Sequence, residues 1–374
     1  MCGIIGIIGS KDLAGELYRA LLNLQHRGQD AAGILSYAPE HSQSESGVNR
    51  IRQLGLAENL ENELVEIHGE MGIGQVRYPT IGKGTLNDAQ PLYVTGPNGI
   101  IAIVHNGNLL NYPILRRELE QSGSDVYTNS DVEIILNVLN SPFSPQKTIT
   151  ENLVDAVERV YNRVIGAYSV VCFSKKLSGI IAFRDPQGIK PLLYGERTVD
   201  GKPSYGFASE NDALHALKFR NIRSLDPGVV VIVDKERHLS FHALRQGKHA
   251  HCIFEWIYFS SPESVLEGIS VYAARKSAGE LLGLQLCRDG LTNVDVVVPV
   301  PDTARTAAQS LAEVLNVPFE EGLIKNRYIG RTFIMPNQIE RENAVGVKLK
   351  PVREVLAEKS VLLVDDSIVR GTTS

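Results

Sequence analysis

The apolar segments of this chain follow two different patterns, and the change between them constrains the fold more than any other feature. In the first 240 residues or so, short strand-like segments cluster between amphipathic helical ones, which is typical of layered α+β packing. After residue 265, two mainly apolar runs, 294–300 and 360–364, read as buried parallel strands and alternate with helical segments. That second pattern is typical of a doubly wound α/β domain.

The individual elements follow from hydrophobic periodicity and turn residues. Strands are predicted from almost residue 2 onward and at 33–37, 71–76, 99–105, 167–173, 179–184, 205–208 and 229–233. Helices are predicted at 12–25, 109–121, 131–139, 152–160, 271–285 and 303–315. We therefore predict a first domain over 2–238, a connector over 239–265 with a polar, His-rich start, and a second domain over 266–374.

Charge and cysteine usage narrow the class of protein. The net charge of −5 and the pI near 6.0 give no reason to expect nucleic acid or an anionic membrane as a partner. The apolar runs are too short to span a bilayer. The cysteines are scattered and form no CxxC pair: Cys2, Cys172, Cys252 and Cys287. A disulfide framework is therefore not expected, and a reducing cytoplasm fits best.

The cysteine at position 2 has a special chemical position. Alone, a cysteine near a terminus is usually a small buried hydrophobe. Removal of Met1, however, would give Cys2 a free α-amine with a pKa of about 7.7–8.0, which can act as the base for its own thiol. The adjacent Gly3 allows close backbone approach by a substrate, and the following strand holds the thiol in place.

Several polar segments could serve such a nucleophile. An amide substrate such as glutamine needs a cation for its carboxylate, an anion for its ammonium group and donors for a tetrahedral oxyanion. Arg77 can supply the cation, while the Asn106 side chain and the Gly107 N–H can supply the donors. Asp131 opens a predicted helix and is either an N-cap or the ligand of the ammonium group. Taken alone, its sequence position favours the N-cap.

These segments together resemble the glutaminase domain of the N-terminal-nucleophile amidotransferases. The resemblance covers residues 2 to about 235 and includes HRGQDAAG (26–33), VRYPT (76–80), HNGN (105–108), TNSD (128–131), FRDP (183–186) and ASE (208–210). It implies a four-layer αββα fold with Cys2 as the nucleophile and an oxyanion hole made by Asn106 and Gly107. It also implies that glutamine is bound by Arg77, Thr80, Asp131 and Arg27.

The segment VLLVDDSIVRGTT (361–373) carries the chemistry of the second domain. A buried strand delivers two carboxylates at its end, and a loop of glycine and hydroxyl residues follows, which can cradle a phosphate. The paired acids suit ribose hydroxyls or Mg²⁺. VLLVDD alone would also suit a receiver domain, but the continuation SIVRGTT argues against that interpretation.

This segment resembles the phosphoribosyl-diphosphate (PRPP) loop of type I phosphoribosyltransferases. The resemblance implies PRPP contacts from Asp365, Asp366, Ser367, Arg370, Gly371, Thr372 and Thr373, with Mg²⁺ held by Thr303, Asp365 and Asp366. The basic segment 325–333 includes Lys325 and Arg331. It reads either as a solvated charged face or as a mobile loop that neutralises the diphosphate leaving group.

The two halves together resemble the glutamine phosphoribosyldiphosphate amidotransferases. That family transfers ammonia from glutamine to PRPP and forms 5-phosphoribosylamine, glutamate and diphosphate, the first committed step of purine (IMP) synthesis. The resemblance implies an ammonia tunnel, Mg²⁺, a homo-oligomer (dimer or tetramer) and feedback inhibition by purine nucleotides. A sugar-phosphate isomerising relative would lack the segment 361–373, and a non-catalytic protein would not need the full set of glutamine-site residues.

Two expectations concern particular places in the chain. Because the sequence stops at Ser374 inside the phosphate loop, we expect the glutaminase fold to be kept and the phosphoribosyl-transfer half to be inactive in this chain. Cys252 lies at the position of one ligand in the family branch that carries a [4Fe–4S] cluster. A cluster needs four thiolates, so the sequence leaves its presence open. Cys172 and Cys287 are expected to be ordinary core or surface thiols.

Overall fold

The computed structural model describes residues 2–40, 46–78, 84–123, 126–326 and 349–368. The chain divides into two compact units. The first comprises Met1–Cys252 with Val265–Glu267, and the second comprises Ile253–Ser264 with Gly268–Ser374.

The first unit contains most of the strands. They are β1 (Gly3–Ile8), β2 (Ala31–Tyr37), β3 (Val48–Leu54), β4 (Met71–Arg77), β5 (Leu92–Gly96), β6 (Gly99–Leu109), β7 (Gly166–Ser174), β8 (Gly179–Arg184), β9 (Leu193–Val199), β10 (Lys202–Ala208), β11 (Arg220–Ser224), β12 (Val229–Val233), β13 (Leu239–Ala243) and β14 (Val265–Leu266). Its α-helices are α1 (Leu13–Asn23), α2 (Tyr112–Gln121), α3 (Val132–Leu139), α4 (Ile149–Arg163) and α5 (Asn211–Ala216). Short 3₁₀ segments lie at Gln25–Arg27, Ala57–Glu66 and Leu86–Asp88.

Strands β1 to β13 form two antiparallel sheets. Sheet A has the order β11-β9-β10-β1-β4-β2-β3, and sheet B has the order β13-β12-β8-β7-β6-β5. The first strand of the chain is therefore central in sheet A, between β10 and β4. A strand with neighbours on both sides has its backbone groups paired along its length, which fixes the position of the residue that precedes it.

The alternation of side chains across each strand builds two apolar layers. Between the sheets, residues such as Ile4 and Ile73 of sheet A pack with Val104 and Val171 of sheet B. The other face of sheet B packs against α3 and α4 through residues such as Ile103. Helices α1 and α5 cover the outer face of sheet A. The layer order is helix, sheet, sheet, helix, so the predicted αββα fold is confirmed.

Local sequence explains where the helices lie. Thr148 accepts a hydrogen bond from the Glu151 N–H and Glu151 accepts from the Thr148 N–H, so α4 begins with a complete capping box. In α1, the apolar residues Leu13, Leu17 and Leu21 recur at helical spacing and are all buried.

Long-range pairing changes two of the predicted elements. The strand predicted at 99–105 continues to Leu109, because Asn106–Leu109 still pair with β7. The HNGN segment therefore lies inside a strand and does not follow one, and the predicted helix from 109 begins only at Tyr112. The predicted connector over 239–265 begins with β13, which pairs with β12 and extends sheet B.

The second unit contains a parallel strand pair and two packed helices. Its elements are a π-helical turn at Glu255–Phe259, β15 (Ile269–Ser270), α6 (Val271–Arg288), β16 (Val296–Pro299), α7 (Arg305–Leu315), β17 (Leu323–Lys325), β18 (Leu349–Pro351), a helix at Arg353–Leu356 and β19 (Val361–Val364). Strands β16 and β19 are parallel, as predicted. β16 is fully buried, whereas β19 is only partly buried, with Leu363 exposed, so the expectation of a buried strand there is wrong for the described residues.

Glycine allows the close contact of α6 with α7. A Cβ at Gly279 would lie 2.0 Å from the Ala307 carbonyl oxygen, and one at Gly283 would lie 2.9 Å from Val314 Cβ. Both distances are below normal van der Waals contact, so the backbones approach too closely for a larger residue. None of the helices in the described part of the chain has the length and apolar character needed to cross a membrane.

Candidate active site

Cys2 immediately precedes β1, the central strand of sheet A. The residue is 8% exposed, and its thiol donates to the carbonyl oxygen of Tyr78 at 3.6 Å. Since Gly3 pairs with Val76, the same register places Arg77 opposite Cys2. The pairing of β1 with β4 thus places Cys2 beside the end of β4.

Asn106 approaches the same residue from sheet B. Its Oδ1 accepts a hydrogen bond from the Cys2 backbone nitrogen at 3.1 Å. The side chain is buried, and no described group accepts a hydrogen bond from its Nδ2. A buried amide donor without a partner is unfavourable unless a ligand uses it, because the group has lost its water. This geometry suits a donor for an oxyanion that forms beside Cys2.

Gly107 has no room for a side chain. A Cβ at this position would lie 2.2 Å from the Ala167 carbonyl oxygen and 2.7 Å from His105 Nε2. Only glycine fits at this position, and its backbone lies close to the buried His105. Burial lowers the pKa of His105, so this imidazole is neutral at neutral pH.

Arg27 supports the nucleophile through its guanidinium group. Its Nε donates to the Cys2 carbonyl oxygen at 3.0 Å, and its Nη1 lies 2.5 Å from Glu210 Oε1. His26 Nε2 contacts the same oxygen at 2.8 Å. The side chains of Arg27 and Glu210 are essentially fully buried. Arg27 thus contacts Cys2 and its own counter-ion, and its predicted contact with glutamine stays a prediction.

Arg77 is the last residue of β4. Arg77 is buried, and its carbonyl oxygen accepts a hydrogen bond from the Asp30 N–H at 3.1 Å. Gly28 packs directly on this residue, since a Cβ there would lie 2.6 Å from the Arg77 carbonyl carbon. Thr80 lies outside the described residues.

Asp131 occupies the N-cap position of α3 but does not cap it. Its side chain makes no cap hydrogen bond; instead, Oδ2 accepts from the Leu109 N–H at 2.9 Å. Its Oδ1 lies 3.9 Å from His105 Nδ1. The N-cap interpretation is therefore wrong. The carboxylate is buried beside β6, at the strand that carries Asn106 and Gly107, where an ammonium group would find an anion.

The sequence analysis did not assign roles to several supporting groups. Gln75 Nε2 donates to the His105 carbonyl oxygen at 2.6 Å, and Gln90 Oε1 accepts from the His105 N–H at 2.8 Å. These bonds link sheet A and a loop to β6. The Tyr78 carbonyl and the Glu210 carboxylate were also missed as partners of the site, although both residues lie in or beside the quoted motifs. Their roles depend on contacts between distant parts of the chain, which no local pattern reveals.

The second unit brings together several of the predicted PRPP residues. Thr303 Oγ1 donates to Asp366 Oδ2 at 2.5 Å, and Ser367 Oγ donates to Asp366 Oδ1 at 2.7 Å. The two segments meet because β16 and β19 are parallel neighbours, so their carboxyl ends lie at one edge. Burial raises the pKa of Asp365, and the charge of the neighbouring Asp366 raises it further. The hydrogen bond that the Asp366 N–H donates to Asp365 opposes this rise.

Lys325 lies at the end of β17, and its ammonium group is 2.5 Å from Asp302 Oδ2. Asp302 also lies 3.3 Å from Arg305 Nη1. The other predicted phosphate contacts, Arg331, Arg370, Gly371, Thr372 and Thr373, lie outside the described residues.

The remaining cysteines occupy different environments. Cys172 is buried between sheet B and its helices, and burial raises the pKa of its thiol well above the usual value. Cys287 is exposed and Cys252 is partly buried. In the described part of the chain, Cys252 belongs to no group of three side chains arranged to hold a metal ion.

The fold and the Cys2–Asn106 arrangement define an N-terminal-nucleophile glutamine amidotransferase, and comparison with known proteins agrees. The profile of the glutamine amidotransferase domain matches residues 80–216. The amidophosphoribosyltransferase of Pseudomonas aeruginosa is 43% identical over 100% of this chain and 74% of its own length. That of Saccharomyces cerevisiae is 40% identical over 100% of this chain and 75% of its own length.

A solved structure extends the likeness to three dimensions. Glutamine PRPP amidotransferase from B. subtilis, complexed with ADP and GMP, is 35% identical and superposes with a TM-score of 0.83 over 100% of this chain and 77% of its own. The chain belongs to the amidophosphoribosyltransferase family.

Proposed function

We propose that this protein hydrolyses glutamine at Cys2 and transfers the ammonia to PRPP, which gives 5-phosphoribosylamine, glutamate and diphosphate. This is the first committed step of purine synthesis in the family to which the chain belongs. The observation that carries the proposal is the contact between Cys2 and Asn106, which places a buried amide donor without a described partner beside the nucleophile.

The glutaminase step uses the thiol and the α-amine of Cys2. Once Met1 is removed, the α-amine takes the thiol proton and the sulfur attacks the side-chain amide carbon of glutamine. Asn106 Nδ2 and the Gly107 N–H stabilise the oxyanion, and the amine returns the proton to the departing ammonia. Water then hydrolyses the thioester through a second oxyanion, which releases glutamate and restores the thiol.

Substrate binding uses charges around this centre. Arg77, which is buried opposite Cys2, is the proposed partner of the glutamine carboxylate, and the buried Asp131 is the proposed partner of its ammonium group. Each charge-assisted hydrogen bond of this kind contributes about 1.5–3 kcal/mol. Thr80 follows Arg77 in sequence, and we keep it as a proposed ligand contact.

The second unit supplies the acceptor site. Asp365, Asp366 and Thr303 offer carboxylate and hydroxyl oxygens, which are the hard donors that Mg²⁺ prefers, so this donor set fits the ion. Mg²⁺ bound with PRPP would neutralise charge on the diphosphate as it leaves. Ser367 holds Asp366 in place through its hydroxyl group. Lys325, Arg331 and the loop 370–373 are the proposed phosphate contacts.

The family resemblance implies Cys252 as one ligand of a [4Fe–4S] cluster, which needs four thiolates. Cys172 is buried in the apolar core and Cys2 is the nucleophile, so neither is assigned to the cluster. We derive no step of the reaction from such a group.

Regulation, assembly and location are also proposals. The B. subtilis relative was solved with ADP and GMP, which supports purine nucleotides as feedback inhibitors here. We propose a homo-oligomer, a dimer or tetramer, on the family resemblance. The four cysteines are all free, which suits the reducing cytoplasm where we place the enzyme.

Glutamate release from glutamine tests the first half of the proposal. The wild-type chain, with removal of Met1 verified by mass spectrometry, should release glutamate, and Cys2→Ala should release none. Cys287→Ala is the matched control, because this exposed thiol lies in the other unit, and it should keep full activity. Equal activity in Cys2→Ala and the wild type would overturn the assignment of the nucleophile.

Calorimetric titration with PRPP and Mg²⁺ tests the second half. The wild type should bind, and Asp366→Asn should bind more weakly, since it loses one of the charges that would hold the ion. Binding that is the same in both proteins, or absent in the wild type, would overturn the assignment of the PRPP site.

A further inference from the structure

The residues just after β10 hold the first residues of β1 in place. Strand β10 pairs with β1 as far as Ala208 and Ile5. Ser209 extends this pairing: its N–H donates to the Ile4 carbonyl oxygen at 3.1 Å, and its Oγ accepts from the Ile4 N–H at 3.0 Å. The backbone two residues beyond the nucleophile is therefore fixed by both of its polar groups.

The next residue, Glu210, is linked to Cys2 through the side chain of Arg27. Its carboxylate lies 2.5 Å from Arg27 Nη1, and Arg27 Nε donates to the Cys2 carbonyl oxygen at 3.0 Å. This bond fixes the peptide group that follows Cys2. Ser209 and Glu210 thus act on successive parts of the same short segment, residues 2 to 4.

The energetics of burial make Glu210 necessary for this arrangement. The Arg27 side chain is 0% exposed, and a guanidinium group taken out of water is strongly unfavourable without an anion beside it. Burial disfavours the charged form of Glu210, but Arg27 and His26 outweigh it and hold the pKa of this carboxyl well below its usual range. Glu210 is therefore ionised at any pH at which an assay would be run.

We propose that Glu210 is a positioning residue for the nucleophile, which it holds in the attacking geometry through Arg27. This inference rests on the proposed glutaminase function. Its carboxylate touches Arg27 and His26, and the route to Cys2 that the described residues show runs through Arg27. Its loss should therefore impair the chemical step and leave glutamine affinity nearly unchanged. A displacement of the reacting group by about 1 Å can lower a rate by roughly 100-fold.

The first test is Glu210→Gln, which keeps the shape and removes the charge. We expect kcat for glutamate release to fall by about 10- to 100-fold, with KM for glutamine within about threefold of the wild type. Glu16→Gln is the matched control: Glu16 is also a mostly buried carboxylate paired with an arginine, Arg197, at 2.6 Å. This control should keep the wild-type kcat.

A double-mutant cycle tests whether Glu210 acts through Arg27. If it does, Arg27→Gln/Glu210→Gln should be no slower than Arg27→Gln alone, because the carboxylate then has nothing left to position. Losses that multiply would overturn this route. Glu210→Asp keeps the charge and should recover part of the activity that Glu210→Gln loses.

Rates should be expressed per reactive thiol, counted by titration with an electrophilic glutamine analogue, so that a partly unfolded variant is not mistaken for a slow one. If the wild type released no glutamate, the proposed function itself would fail. The positioning role of Glu210 is refuted if the wild type is active and Glu210→Gln has the same kcat. It is also refuted if the activity lost in Glu210→Gln appears only as a higher KM for glutamine.

Discussion

The backbone nitrogen of Cys2 and Oδ1 of Asn106 lie 3.1 Å apart, although 104 residues separate them in the chain. The contact joins the two sheets, since Cys2 precedes β1 of sheet A and Asn106 lies within β6 of sheet B. The Asn106 side chain therefore has two roles: its oxygen orients the Cys2 nitrogen that would become the α-amine, and its Nδ2 remains available for the oxyanion.

Asn106→Asp separates these two tasks. The substitution keeps an acceptor for the Cys2 nitrogen but replaces the donor with a carboxylate oxygen, which repels a developing oxyanion. We expect kcat for glutamate release to fall by about 100- to 1,000-fold, as for loss of an oxyanion donor elsewhere, with a smaller change in KM. Asn59→Asp, at an exposed amide that bonds only locally to Leu54, should keep the wild-type kcat. A wild-type rate in Asn106→Asp would exclude this residue from the oxyanion hole.

Asp131→Asn distinguishes a substrate contact from a structural one. Asparagine can still accept the Leu109 N–H through its amide oxygen, so the local structure should be kept. Loss of the charge should raise KM for glutamine by roughly 10- to 100-fold, corresponding to about 1.5–3 kcal/mol for a charge-assisted hydrogen bond. Steady-state kinetics give the answer, and an unchanged KM would mean that the carboxylate serves the fold alone.

Gly279→Ala tests the contact between α6 and α7. In an exposed helix this change stabilises by up to about 1 kcal/mol, because alanine has the higher helix propensity. Here the new Cβ would lie 2.0 Å from the Ala307 carbonyl oxygen, so we expect destabilisation by roughly 1–3 kcal/mol or more. Calorimetric unfolding should show the difference. Ser277→Ala, on the exposed side of the same helix, should change stability little, and a stabilised Gly279→Ala would contradict the packing described above.

The buried pair of Arg27 and Glu210 predicts a pH dependence of stability. Burial opposes ionisation of Glu210, but Arg27 and His26 lower its folded-state pKa well below the usual 4.5. The stabilisation is therefore complete above about pH 4.5 and is lost as the pH falls toward the folded-state value, because the unfolded chain then binds a proton that the folded chain does not. The stability advantage of the wild type over Glu210→Gln should shrink by about 1.4 kcal/mol per unit below about pH 4. Denaturant titrations across this range measure it. An advantage that grows as the pH falls below about 4 would contradict the sign of this shift.

Local sequence patterns were sufficient to predict the elements whose residues are mostly apolar and are bounded by turn residues. Strands β8 and β12 were predicted with the ends the structure has, because each is an apolar run bounded by turn residues. Strands β3, β5 and β9 were not predicted. Each mixes polar and apolar residues, and it is the neighbouring strand that supplies its hydrogen bonds.

The sequence by itself determined the chemistry of this protein: a cysteine that could become N-terminal, an asparagine–glycine pair, an arginine, an aspartate and an acidic phosphate loop. Tertiary structure decided how those groups are used. Asn106 lies within a strand because its segment pairs with β7. The Asp131 carboxylate accepts a hydrogen bond from the Leu109 N–H and does not cap the helix that follows it. Arg27 and Glu210 form a buried ion pair. These outcomes depend on hydrogen bonds and desolvation between residues far apart in the chain, and such long-range contacts leave no local pattern to read.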